Sequence, residues 1–144
     1  MASKEIKTSI IIQATPEKVW SIFSNFKNYP NWNPFLTLIE GNLRKGNKIK
    51  IIAGGMKFNP VVLSHIKEKE LIWVGRLFFK GLFDGEHKFE FIDNLNGSTT
   101  FKHEEKFQGV LVGLFSKKID NEVKPGFIEM NKKLKEICEG ISSL

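Results

Sequence analysis

His87, His103 and Glu105 are the residues of this chain whose types suit shared chemistry. They fall in two segments of alternating polarity, Gly85-Glu86-His87-Lys88-Phe89-Glu90-Phe91 and Phe101-Lys102-His103-Glu104-Glu105-Lys106-Phe107. A carboxylate that orients an imidazole, as Glu105 would orient His87, makes a tuned general acid or base. Such a pair suits proton abstraction beside a carbonyl. The same pair also serves as a buried hydrogen-bonded unit that fixes strand register. Histidine and carboxylate are metal-ligand types as well. Here their spacing specifies no coordination geometry and no further ligand stands nearby, so no metal site is expected.

Whether these side chains meet depends on a hairpin register, and charge selects it. A three-residue loop, Leu95-Asn96-Gly97, with Gly97 in the left-handed region, closes the hairpin. Glu86 then faces Lys106, Lys88 faces Glu104, and Glu90 faces Lys102. Each opposite-charge pair across a strand contributes about 0.2–1 kcal/mol. A two-residue slip sets Glu86 against Glu104 and Lys88 against Lys102, so it is disfavoured. On the opposite face the selected register places His87 opposite Glu105, Phe89 opposite His103, and Phe91 opposite Phe101, with Phe107 beyond.

The elements that must position this face follow from periodicity. Glu5 to Gln13 alternates and then turns fully apolar at Ile10-Ile11-Ile12, which reads as a strand. Thr15-Pro16-Glu17-Lys18 is a helix start, with Thr15 as N-cap and Pro16 in the first turn. Val19, Ile22 and Phe23 supply its apolar stripe. Lys27 to Pro34 is turn-rich, with room for one further helical turn. Strands are then expected at Phe35–Leu43, Lys48–Ile52, Lys57–Ile66, Leu71–Phe79, Gly85–Ile92 and Thr99–Val110, antiparallel because the loops between them are short. Ile119, Val123, Phe127, Met130, Leu134 and Ile137 then form one stripe of a long helix that ends before Gly140, with Pro125 expected to bend it. The order is α+β.

Composition narrows the class. A chain of 144 residues makes one domain, residues 1–144, with one substantial core. It contains no apolar run of about 18 residues, the length that spans a bilayer. Met1-Ala2-Ser3-Lys4-Glu5 lacks a hydrophobic signal region, so a cytoplasmic protein is expected. The single cysteine, Cys138, makes no internal disulfide and has no adjacent activator. The net charge of +6 comes mostly from scattered lysines, with Arg44 and Arg76 the only arginines. That is a solvated surface rather than a nucleic-acid face. No serine sits in a nucleophile elbow and no Gly-rich phosphate loop is present, so no cofactor is expected. Aromatics are the unusual feature: 13 Phe against one Tyr, side chains that add apolar area without a polar handle.

Five segments together resemble a known group. Thr15-Pro16-Glu17-Lys18-Val19-Trp20, Tyr29-Pro30-Asn31-Trp32-Asn33-Pro34-Phe35, the two late strand segments and Gly126 to Lys135 are similar, in order, to motifs of the SRPBCC superfamily. This is the START-like, birch-pollen-allergen-like group, and its polyketide cyclase/dehydrase branch is the nearest. The resemblance implies a helix-grip fold: a curved seven-stranded antiparallel sheet around a long C-terminal helix, with two short helices after the first strand. It also implies a hydrophobic cavity between sheet and helix, which in such proteins holds lipids, polyketides or similar molecules.

On this basis the expected function is binding of a small hydrophobic ligand. Trp73, Phe89, Phe91, Phe101 and Phe107 would supply apolar contact, and His87, His103 and Glu105 would orient a polar end. Trp32, Asn33 and Phe35 would stand at the cavity mouth, and Phe127, Met130 and Leu134 would face the sheet from the helix. The alternatives are a cyclase, dehydratase or isomerase using His87–Glu105 as acid/base, and a co-chaperone-like interaction module. A monomer or weak homodimer is expected, with no nucleic-acid partner and no stable membrane insertion. The Gly-hinged loop Lys80–Gly85 is a candidate gate, and Gly54-Gly55 a tight turn or cavity lip.

Overall fold

The computed structural model describes residues 2–77 and 79–140. Strand β1 (Ser3–Ile12) leads into helix α1 (Pro16–Phe23), where the Thr15 hydroxyl accepts from the Lys18 amide at 3.3 Å, as an N-cap should. A 3₁₀ turn at Phe26–Asn28 runs into the single-turn helix α2 (Tyr29–Trp32). The strands β2 (Leu36–Glu40), β3 (Lys50–Ala53), β4 (Met56–Phe58), β5 (Val61–Ile66), β6 (Glu70–Arg76), β7 (Asp84–Asp93) and β8 (Thr99–Gln108) follow. Helix α3 (Val112–Lys118), a π turn at Ile119–Val123 and helix α4 (Lys124–Glu139) complete the chain. The α+β class and the helix-grip architecture are as the sequence implies.

Two antiparallel sheets form, β1-β8-β7-β6-β5 and β2-β3-β4. The sequence expects one strand at Lys57–Ile66, and the strand count departs from seven to eight at this point. Asn59-Pro60 divides that segment into β4 and β5, since a proline has no N–H to give the ladder. The register nonetheless runs through the break. Ile51 pairs with Phe58 on one side of it, and Lys48 bridges Val61 on the other. The Ile49 amide also donates to Pro60 O at 2.9 Å. The two sheets are therefore one curved surface, interrupted by a kink.

The β7–β8 hairpin has the register that charge selects. Glu86 is opposite Lys106, His87 opposite Glu105, Lys88 opposite Glu104, Phe89 opposite His103, and Phe91 opposite Phe101. Gly97 is left-handed, with φ of 86°, and the Asn94 amide closes the loop onto Ser98 O at 3.1 Å. The outward charges continue into β1, where Glu5 pairs with Lys106 and Lys7 with Glu104. The expected strand ends at Leu71–Phe79 and Thr99–Val110 are shorter in the structure, and Phe78 lies outside the described residues.

The C-terminal helix begins earlier than its apolar stripe announces, at Val112, and changes pitch once. The Lys124 amide donates to Ile119 O, five residues back, just before Pro125. The wide turn is thus seated where a proline would crowd an ordinary α turn. Beyond it Phe127, Met130, Asn131, Leu134 and Cys138 are buried against the sheet, and left-handed Gly140 (φ of 70°) caps the helix. Gly126 is required by packing: a β-carbon there would collide with the Phe35 ring.

Candidate functional site

Alternation along β6, β7 and β8 builds one inward face. Neighbouring strands align Trp73, His87 and Glu105 in one row and Leu71, Phe89 and His103 in the next, the latter continuing to Thr8 of β1. Phe127 of α4 lies over the histidines. Its ring is parallel to His103 at a centroid distance of 3.8 Å and 4.9 Å from His87.

The polar groups form a chain across this face. His87 Nδ1 is 3.5 Å from Glu105 Oε1, and its Nε2 is 2.7 Å from His103 Nε2. His103 Nδ1 is 2.9 Å from Asn131 Oδ1, and Asn131 Nδ2 donates to Thr8 Oγ1 at 2.8 Å. Thr8 Oγ1 in turn donates to the His103 carbonyl at 2.7 Å. The imidazole–imidazole contact has the length of a hydrogen bond and engages a nitrogen of each ring. Among the described residues no group of three or more His, Cys, Asp or Glu is placed to hold a metal ion.

Burial fixes the charge states. It holds His103 down to about 3 against the raising effect of its Asn131 hydrogen bond, and it holds His87 well below the usual imidazole range, with His103 adding to the effect. Burial pushes the Glu105 carboxyl up to about 8. Both rings are therefore neutral at pH 7, and Glu105 carries its proton.

A cavity of about 160 Å³ opens beside this row. Trp73, Gly75, Gly85, His87, Glu105 and Phe107 form its sheet wall, and Ile51, Ala53, Gly54, Met56 and Phe58 with Pro60 its β3–β4 side. Phe35, Phe83 and the helical residues Phe115, Lys118, Ile119, Glu122 and Val123 close it. The paired glycines Gly75 and Gly85 leave the sheet without side chains at this level. Of the acid/base pair, the Glu105 side chain is 14% exposed and that of His87 3%, so Glu105 is the more open to the cavity.

The residues singled out by sequence divide into two sets. His87, Glu105, Phe35, Trp73 and Phe107 line the cavity. Phe89, Phe91 and Phe101 lie in the packed aromatic core, each within 6 Å of the Phe23 ring. His103, Phe127, Met130 and Leu134 are buried between sheet and α4, behind the cavity wall. Trp32 packs on Tyr29, and Asn33 Oδ1 accepts from the Phe35 and Leu36 amides at 3.0 and 2.8 Å, forming the turn into β2. Gly54-Gly55 is the β3–β4 turn, with Gly54 on the cavity wall. In the Lys80–Gly85 loop, Phe83 points inward and packs on Phe107 and Phe115. Cys138 is buried, its thiol pushed up to about 12.

Sequence reasoning missed Asn131 and Thr8, which complete the polar chain. Asn131 had a signal: it falls four residues after Phe127 and three before Leu134, on the core stripe. Thr8 had only its alternation with Ile6 and Ile10. The cavity-lining helical residues ahead of Ile119, Phe115 and Lys118, were also missed.

No described helix is long and apolar enough to cross a membrane. No curated protein matches the chain in sequence. Similar folds occur in a hypothetical protein of Helicobacter pylori (TM-score 0.78, 16% identity, 94% of this chain and 88% of that one) and a START superfamily protein of Mycobacterium smegmatis (TM-score 0.68, 18% identity, 96% and 99%). The di-domain aromatase/cyclase StfQ of the steffimycin biosynthetic pathway superposes at a TM-score of 0.75 with 8% identity, over 99% of this chain and 53% of that one. These likenesses establish the fold. The sequence profile described as polyketide cyclase / dehydrase and lipid transport matches residues 3–139, and the chain belongs to that family.

Proposed function

We propose that the protein binds a small apolar molecule in the cavity between the sheet and the C-terminal helical segment, with the molecule's polar end against Glu105 and His87. The observation that carries this reading is the cavity itself. Its walls are mostly apolar, and its sheet wall holds one acid–imidazole pair. The family's association with lipid transport and polyketide chemistry supports the same class of ligand. In this reading the protein works in the cytoplasm as a monomer or weak homodimer, without a nucleic-acid partner. Native mass spectrometry of protein purified from its host tests the reading: a co-purified apolar species is expected. An empty protein whose Trp73 fluorescence also fails to respond to a panel of fatty alcohols and aromatic polyketides would overturn it.

A second reading is favoured by the protonation of Glu105. A carboxyl that keeps its proton at neutral pH, opens to the cavity and lies beside an imidazole is equipped as a general acid. Deuterium uptake from heavy water by enolisable ketones, fast with the native protein and lost in Glu105→Gln, is the expected sign. Equal uptake with both proteins rejects this role.

A further inference from the structure

The hydrogen-bond chain behind the cavity has a direction that its first member dictates. The His103 carbonyl can only accept, so Thr8 spends its one hydroxyl proton there, at 2.7 Å. Thr8 Oγ1 must then accept from Asn131, and the atom that faces it at 2.8 Å is Nδ2. That orientation leaves Asn131 Oδ1 toward His103 Nδ1, at 2.9 Å. An amide oxygen only accepts, so His103 carries its hydrogen on Nδ1, and its Nε2 is bare. His87 Nε2, at 2.7 Å, must donate to that bare nitrogen. The hydrogen of neutral His87 is thereby used, and its Nδ1 presents a lone pair to Glu105.

One backbone carbonyl therefore determines a proton position at the far end of the chain, through two side chains that lie behind the cavity wall. We propose that Thr8 and Asn131 are positioning residues that hold His87 as its Nε2–H tautomer, so that the cavity presents a bare imidazole nitrogen beside the Glu105 carboxyl and takes a neutral hydroxyl-bearing ligand end in preference to an anionic one. A hydroxyl both donates to the bare nitrogen and accepts from the carboxyl. A carboxylate can accept from the carboxyl but has no proton to give the bare nitrogen, and Lys118, the one cation among the described lining residues, is on the helical wall with its ammonium 3.8 Å from Met56 Sδ. Glu122 on the same wall adds a second carboxyl side chain and no further cation.

The ligand clause rests on the binding reading above; the tautomer clause does not. Long-range proton–nitrogen correlation spectra of the ¹⁵N-histidine-labelled protein at pH 7 read the tautomers directly. His87 is expected as Nε2–H and His103 as Nδ1–H. Asn131→Leu and Thr8→Val are expected to release both rings to mixed tautomers, while Thr8→Ser, which keeps the hydroxyl, retains the native pattern. A His87 Nδ1–H signal in the unaltered protein overturns the proposal whether or not any variant folds. Calorimetry with 2-naphthol and 2-naphthoate reads the ligand preference, expected at about tenfold or more for the naphthol, or about 1.4 kcal/mol. Equal or tighter naphthoate binding overturns the ligand clause with the binding reading intact. Binding of neither compound, with no response to the fatty alcohols and polyketides, overturns both, and the spectra still decide the tautomer clause.

Discussion

Gly85 leaves the space that the Glu105 carboxyl occupies: a β-carbon at position 85 would collide with Oε2 and lie 3.4 Å from the carboxyl carbon. The two residues sit diagonally on adjacent strands, in neighbouring inward rows: Gly85 is opposite Phe107, and Glu105 is opposite His87. Absence of one side chain is thus the condition for burying the other. Gly85→Ala is expected to destabilise the protein by about 1–3 kcal/mol through overpacking in urea unfolding. Glu105→Ala in the same chain is expected to recover most of that loss, because the colliding group is gone. Additive losses in the double variant contradict the relationship.

A similar accommodation joins Gly126 to Phe35, whose ring fills the place of the missing side chain and meets Phe127 at a centroid distance of 5.2 Å. Alanine in a helix interior is ordinarily about 1 kcal/mol better than glycine. Here the collision outweighs that gain, and Gly126→Ala is expected to cost a net 1 kcal/mol or so by calorimetric or urea melting. Pairing it with Phe35→Leu should reduce the penalty. A stabilised Gly126→Ala protein would show that the ring moves aside freely.

Stability should peak near pH 6.5. Below that value the unfolded chain protonates two histidines that the folded protein keeps neutral, so stability rises with pH. Between the ordinary glutamate value of 4.5 and about 8, the folded protein holds a proton on Glu105 that the unfolded chain has lost, so this group's contribution falls as pH rises. The two histidines outweigh the one carboxyl up to 6.5; above it the carboxyl acts alone, with a slope on the order of 1 kcal/mol per pH unit. Urea titrations from pH 5 to 8.5 check this, and Glu105→Gln is expected to remove the decline above 6.5. A native protein that gains stability from pH 6.5 to 8 would refute the assignment.

On the outer face, Glu104 stands between Lys7 of β1 and Lys88 of β7. Glu104→Lys turns two attractive neighbours into two repulsive ones. A loss of about 1 kcal/mol is expected at low ionic strength, shrinking at 1 M salt where the screening length falls to about 3 Å. Glu104→Gln should lose about half as much. A salt-independent loss would point to packing in place of charge.

The hairpin was legible because two independent patterns, outward charge and inward aromatics, select one register, and a slip spoils the charge pattern. The break at Asn59-Pro60 was less so. Proline marks an interruption, yet the pairing of Lys48 with Val61 preserves the register beyond it, so the segment behaves as one strand in pattern and two in hydrogen bonding. The π turn was almost hidden. Its only trace is the spacing of Ile119, Val123 and Phe127 by fours, and four also suits an ordinary helix. Thr8 and Asn131 act together from 123 positions apart, and no local pattern encodes that meeting. Of the candidate site, sequence found the acid, the imidazoles and part of the apolar wall. The helical wall before Ile119 went unread because Val112 to Lys118 lacks a buried stripe, Val112 being its one buried residue.

The change of pitch at Ile119–Val123 also separates two jobs that one helix would otherwise have to reconcile. Residues before Pro125 furnish the cavity's helical wall, and those after it clamp the sheet. An added residue in the wide turn lets each half keep its own angular phase. The cavity-facing half is consequently an exchangeable cassette: its wall can be rewritten without rotating Phe127, Met130 or Leu134 out of the clamp.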